Sequence, residues 1–319
     1  MNLITLESRE LSVQIDIDRG ADVLSFTDKE NDLNLLFSTP WRERADRLNE
    51  GGQAPLNFGT FSNWLEGYRG GWQTLCPISG PQRNLAGTDI GFHGEASIIP
   101  WDLLSQSENC IELKVNLFTV PIQINRKLVL DNNKLVQTDN ITNQSSVEIE
   151  IDYSSHPAFS GLFIEGDVEI DCGAKKLYLD SDSKSFVEST TNFSAWPVLH
   201  TTDDETLDLR KLPAKGTPWV LFGWLEDFEE QWASITNYDL GISCRLTWDS
   251  KSLPYAWLWQ ELEGTATFPW FKKARAIAFE PSSSQTNSSG AKSTIQIKAH
   301  ETIEIPISLE LQRIRRGES

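Results

Sequence analysis

Only four histidines occur in the 319 residues, and two of them sit where a side chain can do acid–base work. His93 lies in GFHGEASIIPW (91–101), followed by a glycine, an acid and then a Pro-Trp pair. His156 follows the run VEIEIDYSS and precedes Pro157, which biases it to an extended conformation at a strand end. An imidazole exchanges a proton readily near neutral pH, so general acid–base catalysis is the chemistry on offer. A carboxylate completes the set. Glu280, in ARAIAFEPSSS, ends an apolar run just before Pro281. An unpaired buried charge is expensive, so such a carboxylate is either paired or functional. His93 reads equally well as a histidine in a turn. His200 (WPVLHTTDDE) and His300 (IKAHETIEI) read as exposed or capping residues. Upstream of Glu280, YAWLWQELEGTATFPWF (255–271) brings Trp257, Trp259 and Trp270 near Glu261 and Glu263.

The elements that must position these groups are strands. LSVQIDID (11–18) places Leu11, Val13, Ile15 and Ile17 on one face. IELKVNLF (111–118), VEIEIDYS (147–154) and TIEIPISLEL (302–311) repeat the alternation, and STIQIKA (293–299) does so more briefly. This period of two marks half-buried antiparallel strands. DNNK (131–134) and SSGAK (288–292) read as turns. No long stretch has a helical period; 41–50 is a short helix or a charged loop, and 224–234 is either helix or strand. The pattern predicts an all-β fold: one β domain over 1–311, with 312–319 a frayed tail. Two long stretches, about 49–92 and 181–216, break the alternation. The first is rich in Gly, Pro, Trp and Asn and is expected to line a site; the second is polar and solvated.

Composition narrows the partners. A net charge of −18 opposes binding to nucleic acid or to an anionic membrane surface. There is no 18-residue apolar run and no signal-peptide pattern, so a cytoplasmic protein is expected. Cys76, Cys110, Cys172 and Cys244 are far apart and read as reduced thiols, not as a disulfide or zinc framework. The acidic runs DSDS (180–183) and DDE (203–205) read as solvated surface, so no metal site is expected. Twelve Trp and fifteen Phe against one Met lean towards pleated structure, and a Trp face can also stack on a sugar ring.

In order along the chain, GGWQTLCP (70–77), GFHGEASIIPW (91–101), SSHPAFSG (154–161), WLWQELEG (257–264) and AIAFEP (276–281) resemble the aldose 1-epimerase, or galactose mutarotase, family. The resemblance runs to about residue 311. It implies a single large twisted antiparallel β-sandwich, the galactose mutarotase-like supersandwich, and no cofactor. It also implies a mutarotase that interconverts the α and β anomers of a free sugar by acid–base ring opening. His93 in FHGE matches the family's first histidine, His156 in SHPAF the second, and Glu280 in AFEP the late glutamate. The roles implied are Glu280 as base, His156 as acid, and His93 on the ring-oxygen side. Gln73, Trp72, Trp259 and Arg83 are the candidate substrate contacts.

The chain departs from the family pattern in three places. Gly94-Glu95 replaces a paired glycine, Pro157-Ala158-Phe159-Ser160 replaces a Tyr-Phe-Asn run, and Gln73 stands where an arginine is usual. Sugar identity therefore stays open. A non-catalytic carbohydrate-binding protein on the same scaffold is one alternative. Another is a mutarotase for a phosphorylated or anionic sugar, because Arg42, Arg44, Arg47, Arg69 and Arg83 lie in or near the aromatic stretch.

Overall fold

The computed structural model describes residues 2–50, 60–181, 185–189, 193–285 and 295–314. Two antiparallel sheets carry the fold. The larger has eleven strands. From one edge it runs Leu3–Glu7, Leu11–Asp16, Asp22–Asp28, Trp72–Leu75, Ser154–Ser160, Arg275–Ser282, Tyr255–Leu262, Trp219–Glu226, Lys176–Leu179 and Ser194–Ala195, with Leu33–Asn34 paired beside Asp22–Asp28. The second has eight, ordered Val168–Cys172, Trp232–Asn237, Ile242–Trp248, Thr302–Arg313, Lys134–Asn143, Ile122–Asp131, Cys110–Asn116 and Asp102–Gln106. The expected all-β sandwich is what the chain forms.

Alternation puts the core between the sheets. Leu11, Val13 and Ile15 face inward from one sheet; Ile111, Leu113, Ile305, Ile307 and Leu309 face them from the other. A polar group pins the two together within this apolar layer. The Arg126 guanidinium forks onto Asp139 at 2.7 Å through both Nε and Nη2 and also donates to Thr74 Oγ1. Tyr153 donates to the same carboxylate at 2.8 Å. Arg126 and Asp139 belong to the smaller sheet and Thr74 to the larger, so this buried charge pair is satisfied and fixes the sheets against each other.

Several strands of the larger sheet are buried on both faces. In Arg275–Ser282 every residue is buried, with Ile277 and Phe279 in the inter-sheet core and Ala276 and Ala278 in a second, aromatic cluster outside it. That explains why AIAFEP reads as a continuous apolar run. The outer layer includes Phe37, Trp64, Leu65, Tyr68, Ile98 and Trp270.

The local expectations divide. The segment 41–50 is helical over Arg42–Glu50, and DNNK is a hairpin turn with Asn132 at φ 51°. Residues 224–234 are strand, turn and strand, the chain leaving the larger sheet at Glu226 and entering the smaller at Trp232. The final strand runs to Arg313, two residues past the expected boundary, because Arg313 is held on Asp28 by a two-pronged ion pair. Residues 315–319 lie outside the described residues, as does the expected turn at 288–292. All four cysteines are free thiols. No helix among the described residues is long and apolar enough to cross a membrane.

Candidate active site

The site stands on the outer face of the larger sheet. Strand parity decides which side chains reach it. In Ser154–Ser160, Phe159 faces the inter-sheet core while His156 and Ala158 face outward. On the next strand Ala276, Ala278 and Glu280 share that outward face, and on the following one Trp257, Trp259 and Glu261 do. Ala158, Ala276 and Ala278 pack under the aromatic cluster, and beside it lies a cavity of about 430 Å³. Its walls include Phe61, Trp64, Tyr68, Phe92, Trp259 and Trp270, and its polar groups include His93, His156 and Glu280. The volume is in the range of small-molecule sites.

His156 and Glu280 sit within the strands Ser154–Ser160 and Arg275–Ser282, not at their ends as the prolines suggested; the ladder continues through Pro281, opposite Ala256, to Ser282. A proline is tolerated there because it lacks only the donor, and its carbonyl accepts from Ser154 Oγ at 3.2 Å. His156 Nε2 lies 3.8 Å from Glu280 Oε1, too far for a direct hydrogen bond. His156 Nδ1 is buried without a protein partner.

His93 reaches the same cavity from a loop. Its backbone is left-handed at φ 65°, and Gly94 follows at φ 76°. A Cβ on Gly94 would lie 2.4 Å from the Cys76 carbonyl oxygen, so the His-Gly pair is dictated by space as well as by conformation. The turn is clamped twice to Gly80: the His93 amide donates to the Gly80 carbonyl at 3.0 Å, and the Gly80 amide donates to His93 Nδ1 at 3.0 Å. Nδ1 is therefore an acceptor and the proton sits on Nε2. The His93 and His156 rings are 6.2 Å apart at 89°. Glu95, the family departure, turns away and accepts from the Phe118 and Thr119 amides and the Thr119 hydroxyl, which makes it a structural anchor.

Burial sets the electrostatics. It pushes the Glu280 carboxyl well above the usual carboxylate range. It also lowers His156 to about 4 and His93 well below its ordinary value. In each case the dry surroundings favour the neutral form. The Tyr68 phenol, 3 % exposed and among the cavity walls, likewise has its pKa raised well above normal by burial, and its hydroxyl has no partner in the protein.

The expected substrate contacts separate. Trp259 lines the cavity, half-buried, with its ring 6.0 Å from that of His156. Trp72 does not: it is one residue from Gln73, so it faces the inter-sheet core, where its Nε1 donates to Ser155 Oγ at 2.6 Å. Gln73 stands opposite His156 in the ladder but is 1 % exposed and outside the cavity lining. Its amide donates to the Gly70 carbonyl at 2.6 Å and lies against the Asp22 carboxyl. Arg83 is also outside, held on Asp152 and on the Ser79 carbonyl at 3.2 Å.

The remaining arginines near the aromatic stretch are similarly committed, Arg42 to Asp46, Arg44 to Glu66, Arg47 to Glu43, and Arg69 to Asp16 and Asp22. Among the described residues no lysine or arginine lines the cavity. Glu261 does line it, yet its carboxylate is taken up by the Gly264 and Thr265 amides and the Thr265 hydroxyl. His200 and His300 are exposed, and Asp203, Asp204 and Glu205 lie on an exposed turn. DSDS falls partly outside the described residues.

Sequence reasoning missed the short helix Phe61–Gly67, which carries Trp64 to the cavity and delivers Tyr68 at its C-terminal end. Its one local signal is Thr60, whose hydroxyl accepts from the Asn63 amide at 3.2 Å as an N-cap. The helix is too short to show a period.

Comparison with known proteins agrees with this architecture. The Slr1438 protein from Synechocystis sp. PCC 6803 superimposes with a TM-score of 0.69 at 16 % identity, over 98 % of this chain and 96 % of that one. A galactose mutarotase related enzyme from Lactobacillus acidophilus gives 0.66 at 14 % identity, over 100 % of both chains. A galactose mutarotase-like protein from Clostridium acetobutylicum gives 0.66 at 17 %, over 98 % and 95 %. At such identities the likeness establishes the galactose mutarotase-like fold. No curated protein matches the sequence. The model of a domain of unknown function, DUF4432, matches residues 1–311, and the chain belongs to that family.

Proposed function

We propose that the chain is a cofactor-independent mutarotase for a neutral sugar, interconverting its α and β anomers through the open-chain aldehyde. The observation that carries this reading is the His156–Glu280 pair, 3.8 Å apart on neighbouring strands in an aromatic-walled cavity. Ring opening needs one group to take the proton from the anomeric hydroxyl and another to protonate the ring oxygen. Both oxygens are bonded to one carbon, so the acid and the base must both reach that end of the sugar. Closure on the other face of the aldehyde reverses the two roles.

Burial raises the Glu280 pKa and lowers that of His156, which favours a neutral carboxylic acid and a neutral imidazole in the free site. A pair holding one proton supplies an acid and a base together, and either member can play either part as the reaction runs forward or back. His93, with its proton on Nε2, donates a hydrogen bond to a sugar oxygen. Trp259 and Trp64 offer apolar faces. The arginines of the aromatic stretch are paired with carboxylates outside the cavity, which supports a neutral over a phosphorylated substrate.

The test follows one freshly dissolved pure anomer to equilibrium by polarimetry, across a panel of neutral sugars and sugar phosphates. Wild-type protein accelerates the change for a neutral sugar, and His156→Asn slows it by about 10²-fold or more. A variant as fast as wild type would remove His156 from the reaction.

A further inference from the structure

The aromatic wall of the cavity continues out to the surface. From His156 a line of ring contacts runs to His93, 6.2 Å between centroids, and then to Phe92 at 3.8 Å. It goes on to Phe61 at 5.0 Å, Phe268 at 6.5 Å and Phe271 at a further 6.5 Å. Exposure rises along it. His156 and His93 are buried, Phe92 is half-buried, and Phe61, Phe268 and Phe271 are 45 %, 52 % and 55 % exposed. Phe61, Phe92 and Phe268 belong to the cavity lining, so the apolar surface is continuous from the acid–base pair to solvent. Three separate segments supply it: the start of the helix Phe61–Gly67, the loop that carries His93, and the turn 268–272. At that turn the Thr267 carbonyl accepts from the Trp270 and Phe271 amides at 3.1 and 2.9 Å. Phe271 there takes a left-handed backbone, φ 48°, that an aromatic residue seldom adopts. Contiguous exposed aromatics of this kind mark a binding surface.

We propose that this rim holds an alkyl or acyl chain carried by the sugar, so that the substrate class is a neutral reducing hexose substituted on its exocyclic oxygen. This rests on the mutarotase reading, with His93 on the ring-oxygen side. The anomeric hydroxyl must stay free for ring opening, so the chain hangs from another position. In a hexopyranose the exocyclic carbon is attached to the ring carbon next to the ring oxygen. In that pose it lies beside His93, at the start of the path through Phe92 and Phe61. The packing of the rings selects a chain over a second sugar. Phe61 meets Phe92 at 77° and Phe268 at 85°, and Phe268 meets Phe271 at 79°. Edge-to-face packing makes corners, not the flat open face on which a pyranose stacks. Phenyl rings also offer no partner to the hydroxyls of a second sugar, which would lose water there. A polymethylene chain needs neither a flat face nor a partner.

The experiment measures catalysed anomer exchange by NMR for glucose, galactose and mannose and for the methyl, butyl and hexyl ethers of each at the exocyclic oxygen. Ethers are used because an ester can migrate or hydrolyse. Wild type, Phe61→Ser and Phe268→Ser are compared, with circular dichroism to verify folding; both side chains are exposed, so either change takes little from the core. A CH2 group moved from water onto apolar surface gains roughly fourfold in binding. At least one hexyl ether is therefore expected to exceed its parent sugar in kcat/KM by about tenfold or more, with butyl and methyl in descending order. Each substitution is expected to cut that gain about threefold or more. Exchange of the parent sugars with no gain from chain length overturns the rim assignment and leaves the mutarotase reading standing. A gain that both variants keep overturns the rim assignment as well. No exchange with any sugar or ether overturns both.

Discussion

His156 and Glu280 face each other from neighbouring antiparallel strands, Nε2 3.8 Å from Oε1, on the outer face of the larger sheet, where both line the cavity. Burial of this pair costs the fold stability, and it does so in opposite directions of pH.

Replacing Glu280 by Gln removes a group whose folded-state pKa is raised by burial. A raised carboxyl contributes stability that is fully present below about pH 4.5 and is lost as pH rises through the folded pKa. Glu280→Gln is therefore expected to melt at a higher temperature than wild type above neutral pH, with the gap closing towards pH 4. Thermal melts across pH 4 to 9 check this; a gap independent of pH would contradict it.

His156, lowered to about 4, is held neutral in the folded chain while an unfolded histidine titrates near 6.5. Its contribution to stability is complete above about pH 6.5 and falls away as pH drops towards 4. The imidazole signals of His156 in the free protein are expected to stay in the neutral position at pH 6. An NMR titration with the His156 midpoint at 6.5 or above would refute the effect of burial on this imidazole.

Tyr68 carries a buried hydroxyl with no protein partner beside the pair. Leaving such a group unmet costs about 1–3 kcal/mol, and a bound sugar oxygen is the partner the site offers it. Tyr68→Phe is expected to leave thermal stability equal or slightly higher and to weaken sugar affinity about tenfold. Titration calorimetry with the preferred sugar decides; unchanged affinity would take Tyr68 out of the binding site.

Gly94→Ala tests the loop that presents His93. The new methyl would meet the Cys76 carbonyl oxygen at 2.4 Å, and φ 76° strains any Cβ-bearing residue. A loss of about 1–3 kcal/mol in urea unfolding is expected, together with reduced turnover. A variant as stable as wild type would show that the turn tolerates a side chain.

The fold was legible because half-buried strands advertise themselves: Leu11, Val13 and Ile15 are inward in the sheet just as their alternation requires. The pair and His93 were legible only through motif order. No spacing reveals that residues 156 and 280 lie on adjacent strands, since strand order belongs to tertiary structure. Trp72 shows what parity teaches: it and Gln73 are consecutive in a strand, so both could not have faced one site. Arg83 and the other arginines carried no signal of their carboxylate partners, which lie from four to 69 positions away in sequence. Tyr68 was hidden because a seven-residue helix gives too little period to read.

The most direct measurement is anomer exchange by saturation-transfer NMR on a neutral sugar, wild type beside Glu280→Gln at pH 7. Wild type is expected to accelerate exchange, and the variant, folded and still binding the sugar, to be slower by about 10²–10⁴-fold. Equal rates in the two proteins would contradict the assignment of Glu280 to the acid–base pair.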